Sequence, residues 1–175
     1  MADSTDSDWQ GAFHWGFGRG FWYMDPLDEV KGMTVDELLW SPMPGIHCTL
    51  WHVGHIAHRE RVHVAVLLQG HDEKDVIPHR FAVFGVDVGY LSATQLLDAV
   101  ESVDDVRVWV REVRRHSHEF IDSLHETDFN SSPGSSYEGN SIAKVLMQTI
   151  GHTGVHIGRI QLLRKMMKSH SVGVA

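Results

Sequence analysis

The chain has 175 residues, of which 42% are hydrophobic and 22% charged, and its formal net charge is −8 with histidines neutral. That length supports one domain, and that apolar fraction excludes wholesale disorder. The negative charge disfavours nucleic acid and anionic membrane as partners. The single cysteine, Cys48, excludes an internal disulfide and a cysteine-rich zinc finger.

Residues 1–10 read as an acidic, disordered tail without the basic and apolar regions of a secretory signal. No apolar run reaches the roughly 18 residues of a membrane span. The expected compartment is the cytoplasm. Gly11 to Met24 is aromatic and glycine-rich and predicts a first helix, ended by Asp25-Pro26. Its aromatic residues Trp15, Phe17, Phe21 and Trp22 are expected in the core together with Trp51. Thr34 to Glu37 is a capping box that starts a short helix, which stops near Ser41-Pro42. A second long helix is expected from Ile46 to Gln69, stopped by Gly70. Residues 71–90 form a long connection, with a thin strand signal at Phe81 to Phe84. Ser92 to Gln95 is a second capping box. It opens a third long helix to about His125, with a weak point at Val103-Asp104-Asp105. Asn130 to Ser136 is loop by composition. The last helix spans about Asn140 to Lys168, and residues 169–175 are expected to fray. Four long helical patterns predict an all-α bundle occupying residues 11–168 as a single domain.

The informative residue type is histidine, with 14 copies. On the last helix, Ile142, Val145, Thr149, His152, Thr153, His156, Ile160, Leu163 and Met167 fall in one stripe about 100° wide. His152 and His156 are four apart and share a face, so their rings can converge on one point, as helical metal-binding pairs do. Gly151, Gly154 and Gly158 beside them suggest close packing or room near a site. On the second helix, Trp51, His55, Val62 and Val66 line one stripe. Val53, Ala57, Val64 and Leu68 line another on nearly the opposite side, suited to burial between layers or to a subunit contact. By phase, His55 is the better third ligand and His52 points elsewhere. Three neutral imidazoles leave coordination positions open, the catalytic rather than the structural pattern, and suit Zn, Ni, Cu or Fe. Without a metal, three central histidines would be a costly way to fill a core.

The segment Trp51-His52-Val53-Gly54-His55-Ile56-Ala57-His58-Arg59-Glu60, with His152-Thr153-Gly154-Val155-His156-Ile157-Gly158-Arg159 downstream, resembles the DinB-like (YfiT-like) superfamily of metal-binding four-helix bundles. That family carries a WHxxH or LxHxA segment on its second helix and HxxxHxGQ/R on its last. The resemblance covers about residues 11–168. It implies an up-down four-helix bundle with a long crossover after the second helix, for which residues 71–90 have the length. It also implies a divalent metal, Zn or Ni first and Fe after them, on His55, His152 and His156, and a homodimer. The chain departs from the commonest pattern in carrying Arg159 where Gln is frequent, and in its glycine-rich first helix.

Characterised relatives include thiol-dependent transferases. The expected function is therefore a metal-dependent thiol S-transferase or a metal-assisted hydrolase, taking a small-molecule substrate and a low-molecular-weight thiol. Arg59 and Arg159 are candidate cations for an anionic thiol, and Glu60 is a candidate acceptor for a ligand's ring N–H. Cys48 is expected to be buried and inert. His116 and His118 are expected on the surface. Two alternatives stand beside the enzyme: a non-enzymatic metal-binding or stress-related interaction module acting as a homodimer, and a metal-free helical interaction protein.

Overall fold

Short polar side chains set most of the helix starts. The computed structural model describes residues 8–20, 24–133 and 139–172. Asp8 accepts from the Gly11 amide and opens α1 (Trp9–Gly16), and Asp25 accepts from the Leu27 amide and opens α2 (Pro26–Glu29). The Thr34–Glu37 box forms and opens α3 (Val35–Leu39). Each cap satisfies amides that a helix start leaves unpaired. The second long helix starts at Thr49 rather than Ile46. It runs as α4 (Thr49–Arg61) and continues through a π-helical stretch, Val62–Leu68. Gly70, at φ 77°, then ends it.

The connection after Gly70 contains α5 (Glu73–Val76) and a 3-10 segment, His79–Phe84, where a strand had been the thin alternative; among the described residues there is no strand. The third helical pattern splits. α6 (Ala93–Val100) opens on the Ser92–Gln95 box, and α7 (Val103–Asp122) starts after Ser102 caps Asp105. Glu101 turns the chain between them at φ 69°, two residues before the expected weak point. A 3-10 turn (Glu126–Asn130) leads toward α8 (Ile142–Val172), which stays helical beyond Lys168 where fraying had been expected. The first helix is also shorter than expected: it stops at Gly16, and Gly18 and Gly20 take positive φ. Phe21 and Trp22 lie outside the described residues.

α1 and α4 each pack against both α7 and α8. One core joins α4, the 3-10 segment, α6 and α7, where Phe81 stacks on Trp109 with centroids 4.3 Å apart. A second joins α1, the π-helical stretch, the end of α7 and the start of α8 around Phe13, Phe17, Val64, Ile121 and Leu146. Phe17 and Trp51 are core residues as expected, whereas Trp15 is exposed. Gly16 permits the close approach of α1 to α8, since a Cβ there would overlap Ile150. Gln10 Nε2 donates to the Leu124 carbonyl at 2.6 Å and pins α1 to the end of α7. Arg114 reaches from α7 to donate to the Phe17 carbonyl at 2.8 Å.

From Thr49 to Glu60 every residue of α4 but Arg59 is buried. α7, α8 and the 3-10 segment all pack on α4. The second apolar stripe on this helix is therefore an internal packing face, and the subunit-contact reading of Val53 and Ala57 is corrected. No helix among the described residues is long and apolar enough to cross a membrane.

Candidate metal centre

α4 and α8 bring His55, His152 and His156 together, so that one ring nitrogen from each lies within 4.8 Å of the other two. Their ring centroids are 4.5–5.0 Å apart. The Nε2 atoms of His55 and His152 are 3.2 Å apart. Two nitrogens bound to a tetrahedral zinc at ~2.0–2.1 Å would lie ~3.4 Å apart, so the spacing suits a shared divalent ion. The helical phases that selected these three residues are the ones the structure uses.

The tautomer of His55 is fixed by its partner. The Phe84 carbonyl can only accept, so His55 Nδ1–H donates to it at 2.6 Å and leaves the Nε2 lone pair facing the cluster. That carbonyl arrives because of a glycine. Gly54 lies under the Phe84 ring, which a Cβ at this position would overlap. On its other side His55 stacks on Trp51, with centroids 4.4 Å apart and planes inclined by 12°, and Trp51 stacks in turn on His47 at 3.7 Å.

His156 is held by a residue that helical phase had set aside. Its Nδ1 lies 2.9 Å from Nδ1 of buried His52, so its Nε2 is the nitrogen left for an ion. His152 has a buried Nδ1 without a hydrogen-bond partner. A third chain braces the same helices. Thr149 Oγ1 donates to the Val145 carbonyl and accepts from His63 Nδ1 at 2.8 Å, and His63 Nε2 accepts from Arg59 at 3.1 Å.

Burial keeps these imidazoles neutral. Desolvation, with smaller contributions from neighbouring histidines and arginines, pushes His156 down to about 2, His52 to about 3, and His63 and His152 to about 4. His55 is lowered by burial as well, against the Phe84 hydrogen bond, which raises it. Arg159 lowers His47, His52, His55, His152 and His156, while Arg59 lowers His55, His63 and His152. Neutral imidazoles with free lone pairs are what a metal requires.

The other candidates separate cleanly. Glu60 is buried on the α7 side, where it accepts from Ser117 at 2.7 Å and pairs with Arg114 at 3.2 Å, so it orients no member of the cluster. Cys48 is buried at the start of α4, and desolvation raises its thiol, as an inert residue requires. His116 and His118 are half-buried rather than exposed; His116 bonds Gln69 and His118 bonds His14. Among the described residues, a Cβ added at Gly151 or Gly158 would meet nothing within 4 Å.

A model of the DinB superfamily matches residues 24–160, which spans the cluster and the helices that carry it. The chain belongs to the DinB superfamily. No curated protein and no solved structure gives a match. DinB proteins are metal-binding, and the three-histidine group of this member can hold an ion.

Two measurements probe the centre directly. Gly54→Ala is expected to push the Phe84 ring away, to remove the slowly exchanging downfield proton of His55 Nδ1–H from the NMR spectrum, and to lower the melting temperature; a retained proton would show that the contact is dispensable. The pH dependence follows from the lowered histidines. The unfolded chain binds protons near pH 6.5 that the folded chain refuses down to about 4 at His63 and His152. Their stabilisation is complete above 6.5 and is lost as pH falls toward 4. Metal-free protein is therefore expected to lose melting temperature steadily from pH 6.5 to 5, above the carboxylate range. A flat profile would contradict the neutral buried state.

Proposed function

We propose that this DinB protein is a divalent-metal enzyme that transfers a low-molecular-weight thiol to a small electrophile. The observation that carries the proposal is three converging neutral imidazoles from two helices, with no fourth side-chain ligand among the described residues. His55, His152 and His156 would hold the ion, zinc or nickel first and iron after them, because imidazole-only ligation suits all three. A bound divalent ion supplies Lewis acidity that lowers the pKa of a thiol or water placed in an open position.

The chain's own residues do the rest. Phe84 and His52 orient two of the imidazoles, which is what outer partners do at metal sites. Trp51 and His47 cover one face of His55 and exclude water there. The exposed guanidinium of Arg159 lies close enough to depress five histidines, so it adds positive potential where an anionic reactant would approach. The transfer forms a carbon–sulfur bond, breaks the electrophile's bond to its leaving group, and releases the thiol proton and the leaving group to solvent. The cytoplasm, where small thiols are kept reduced, is the matching compartment.

Elemental analysis of untagged protein tests the site. About one divalent ion per chain is expected in the wild type, with loss in His55→Ala and in His152→Ala/His156→Ala. Thiol consumption with electrophile panels then tests the reaction. No ion in the wild type after reconstitution with zinc, nickel and iron would end the enzyme reading. Bound ion with no thiol turnover would favour the non-enzymatic module.

The proposal includes a homodimer. Its contact would be the exposed α8 ridge of Met147, Gly151 and Val155, since the second stripe of α4 is internal. Sedimentation is expected to give twice 19.8 kDa for the wild type. Val155→Glu should shift the protein toward the monomer, and a monomeric wild type would overturn the assignment.

A further inference from the structure

Beside the centre, the chain from Pro42 to His47 and the α8 turns after His156 enclose a hollow of about 420 Å³. That volume lies in the range of small-molecule sites. Its lining is mostly apolar, and four of the apolar side chains, Met43, Ile46, Leu162 and Met166, are 40–59% exposed. Three polar side chains interrupt it: His47, His52 and Arg159.

Each of the three has a defined place. His52 is the wall shared with the centre, because its Nδ1 is 2.9 Å from Nδ1 of His156. His47 lies flat on Trp51, which lies flat on His55. Arg159 is exposed and has no ion-pair or hydrogen-bond partner among the described residues. It is the single cation of the lining. In a chain of net charge −8, an unpaired guanidinium at the rim of an apolar hollow is a site of opposite sign to its surroundings.

We infer that this hollow binds the electrophilic co-substrate, and that the co-substrate is a small organic carboxylate with an apolar body, its carboxylate on Arg159 and its body against Ile46, Leu162 and Leu163. The inference rests on the thiol-transfer reading for the word co-substrate, but the site stands on its own geometry. One guanidinium matches one carboxylate in a two-point hydrogen bond. A phosphate dianion would call for more than one cation, and the lining offers one. A peptide or sugar thiol would leave its many polar groups against apolar walls, so the thiol is not the occupant. Arg159 lies one helical turn beyond His156, a rise of about 4.5 Å along the axis. A carboxylate held there places carbons a few bonds away beside His52, at the edge of the histidine cluster.

The test is equilibrium binding of 4-phenylbutanoate and of its uncharged analogue, 4-phenylbutan-1-ol, to the full chain. Three variants are compared with the wild type: Arg159→Gln, Leu162→Glu and His55→Ala. The wild type is expected to bind the carboxylate at least about tenfold more tightly than the alcohol, the scale of one charge-assisted hydrogen-bonded pair. Arg159→Gln should abolish that preference while leaving alcohol binding unchanged, and Leu162→Glu should remove both ligands. His55→Ala is expected to lose the ion yet keep carboxylate binding, so failure of the hollow and failure of the metal reading are read separately.

Three results would overturn the inference. The first is carboxylate binding that Arg159→Gln does not weaken. The second is carboxylate binding that disappears in His55→Ala, which would place the carboxylate on the ion. The third is no binding by a wild-type dimer that Leu162→Glu converts to monomer, which would make the hollow a contact between copies of the chain.

Discussion

The contact on which the centre depends is between a glycine and a phenylalanine. Gly54 has no side chain, so the 3-10 segment of the crossover can lie directly on α4 with the Phe84 ring against the helix backbone. The same residue's carbonyl then fixes His55. A packing event in one core thus sets the tautomer of a side chain one residue further along the helix. The crossover spans the gap between α4 and α6, and it also orients the residue through which α4 joins the cluster.

The rest of the arrangement follows from burying a histidine-rich helix. α4 is covered on nearly all sides, so each of its histidines needs a partner or an ion. His52 finds His156 and His55 finds Phe84, and on the π-helical continuation His63 finds Thr149. His58 keeps a buried Nδ1 unpaired, with its Nε2 3.8 Å from the half-exposed Glu73 carboxylate. His152, on α8, likewise retains an unpaired buried nitrogen, and its other nitrogen faces the cluster. Desolvation and the nearby guanidinium groups act in one direction, toward neutral rings. The electrostatics that make acid destabilising are the same electrostatics that keep three lone pairs available.

Much of this was legible in the sequence, because helical periodicity and caps are local. The Thr34 and Ser92 boxes formed as written, and the 3.6-residue phase of α8 brought His152 and His156 to one face. His55 was separable from His52 by phase, since His55 shares a stripe with Trp51 and Val62. What phase could not show was contact across elements. Phase assigned His52 to another face, yet a ring that points aside on one helix still reaches a ring on the next. The Phe84 carbonyl carried no side-chain signal at all, and Gly54 was the only trace of its approach. The break at Glu101 had a visible neighbour in Ser102, a good capping residue, whereas the eye is drawn to the acidic run that follows it. Of the two readings open for the glycines around the α8 pair, close packing and room near a site, the open space at Gly151 and Gly158 among the described residues fits the second.

Those two glycines bracket His152 and His156, and among the described residues neither is required by a neighbour or by a positive φ. Each lowers the intrinsic preference of the backbone for the helix by roughly 1 kcal/mol relative to alanine. The turns that carry two of the three imidazoles are therefore held helical by what they bury, through Thr153, Ile157 and Ile160, more than by their own propensity. The spacing of the two rings on α8 is thus set by the packing beneath them rather than by the stiffness of the helix itself.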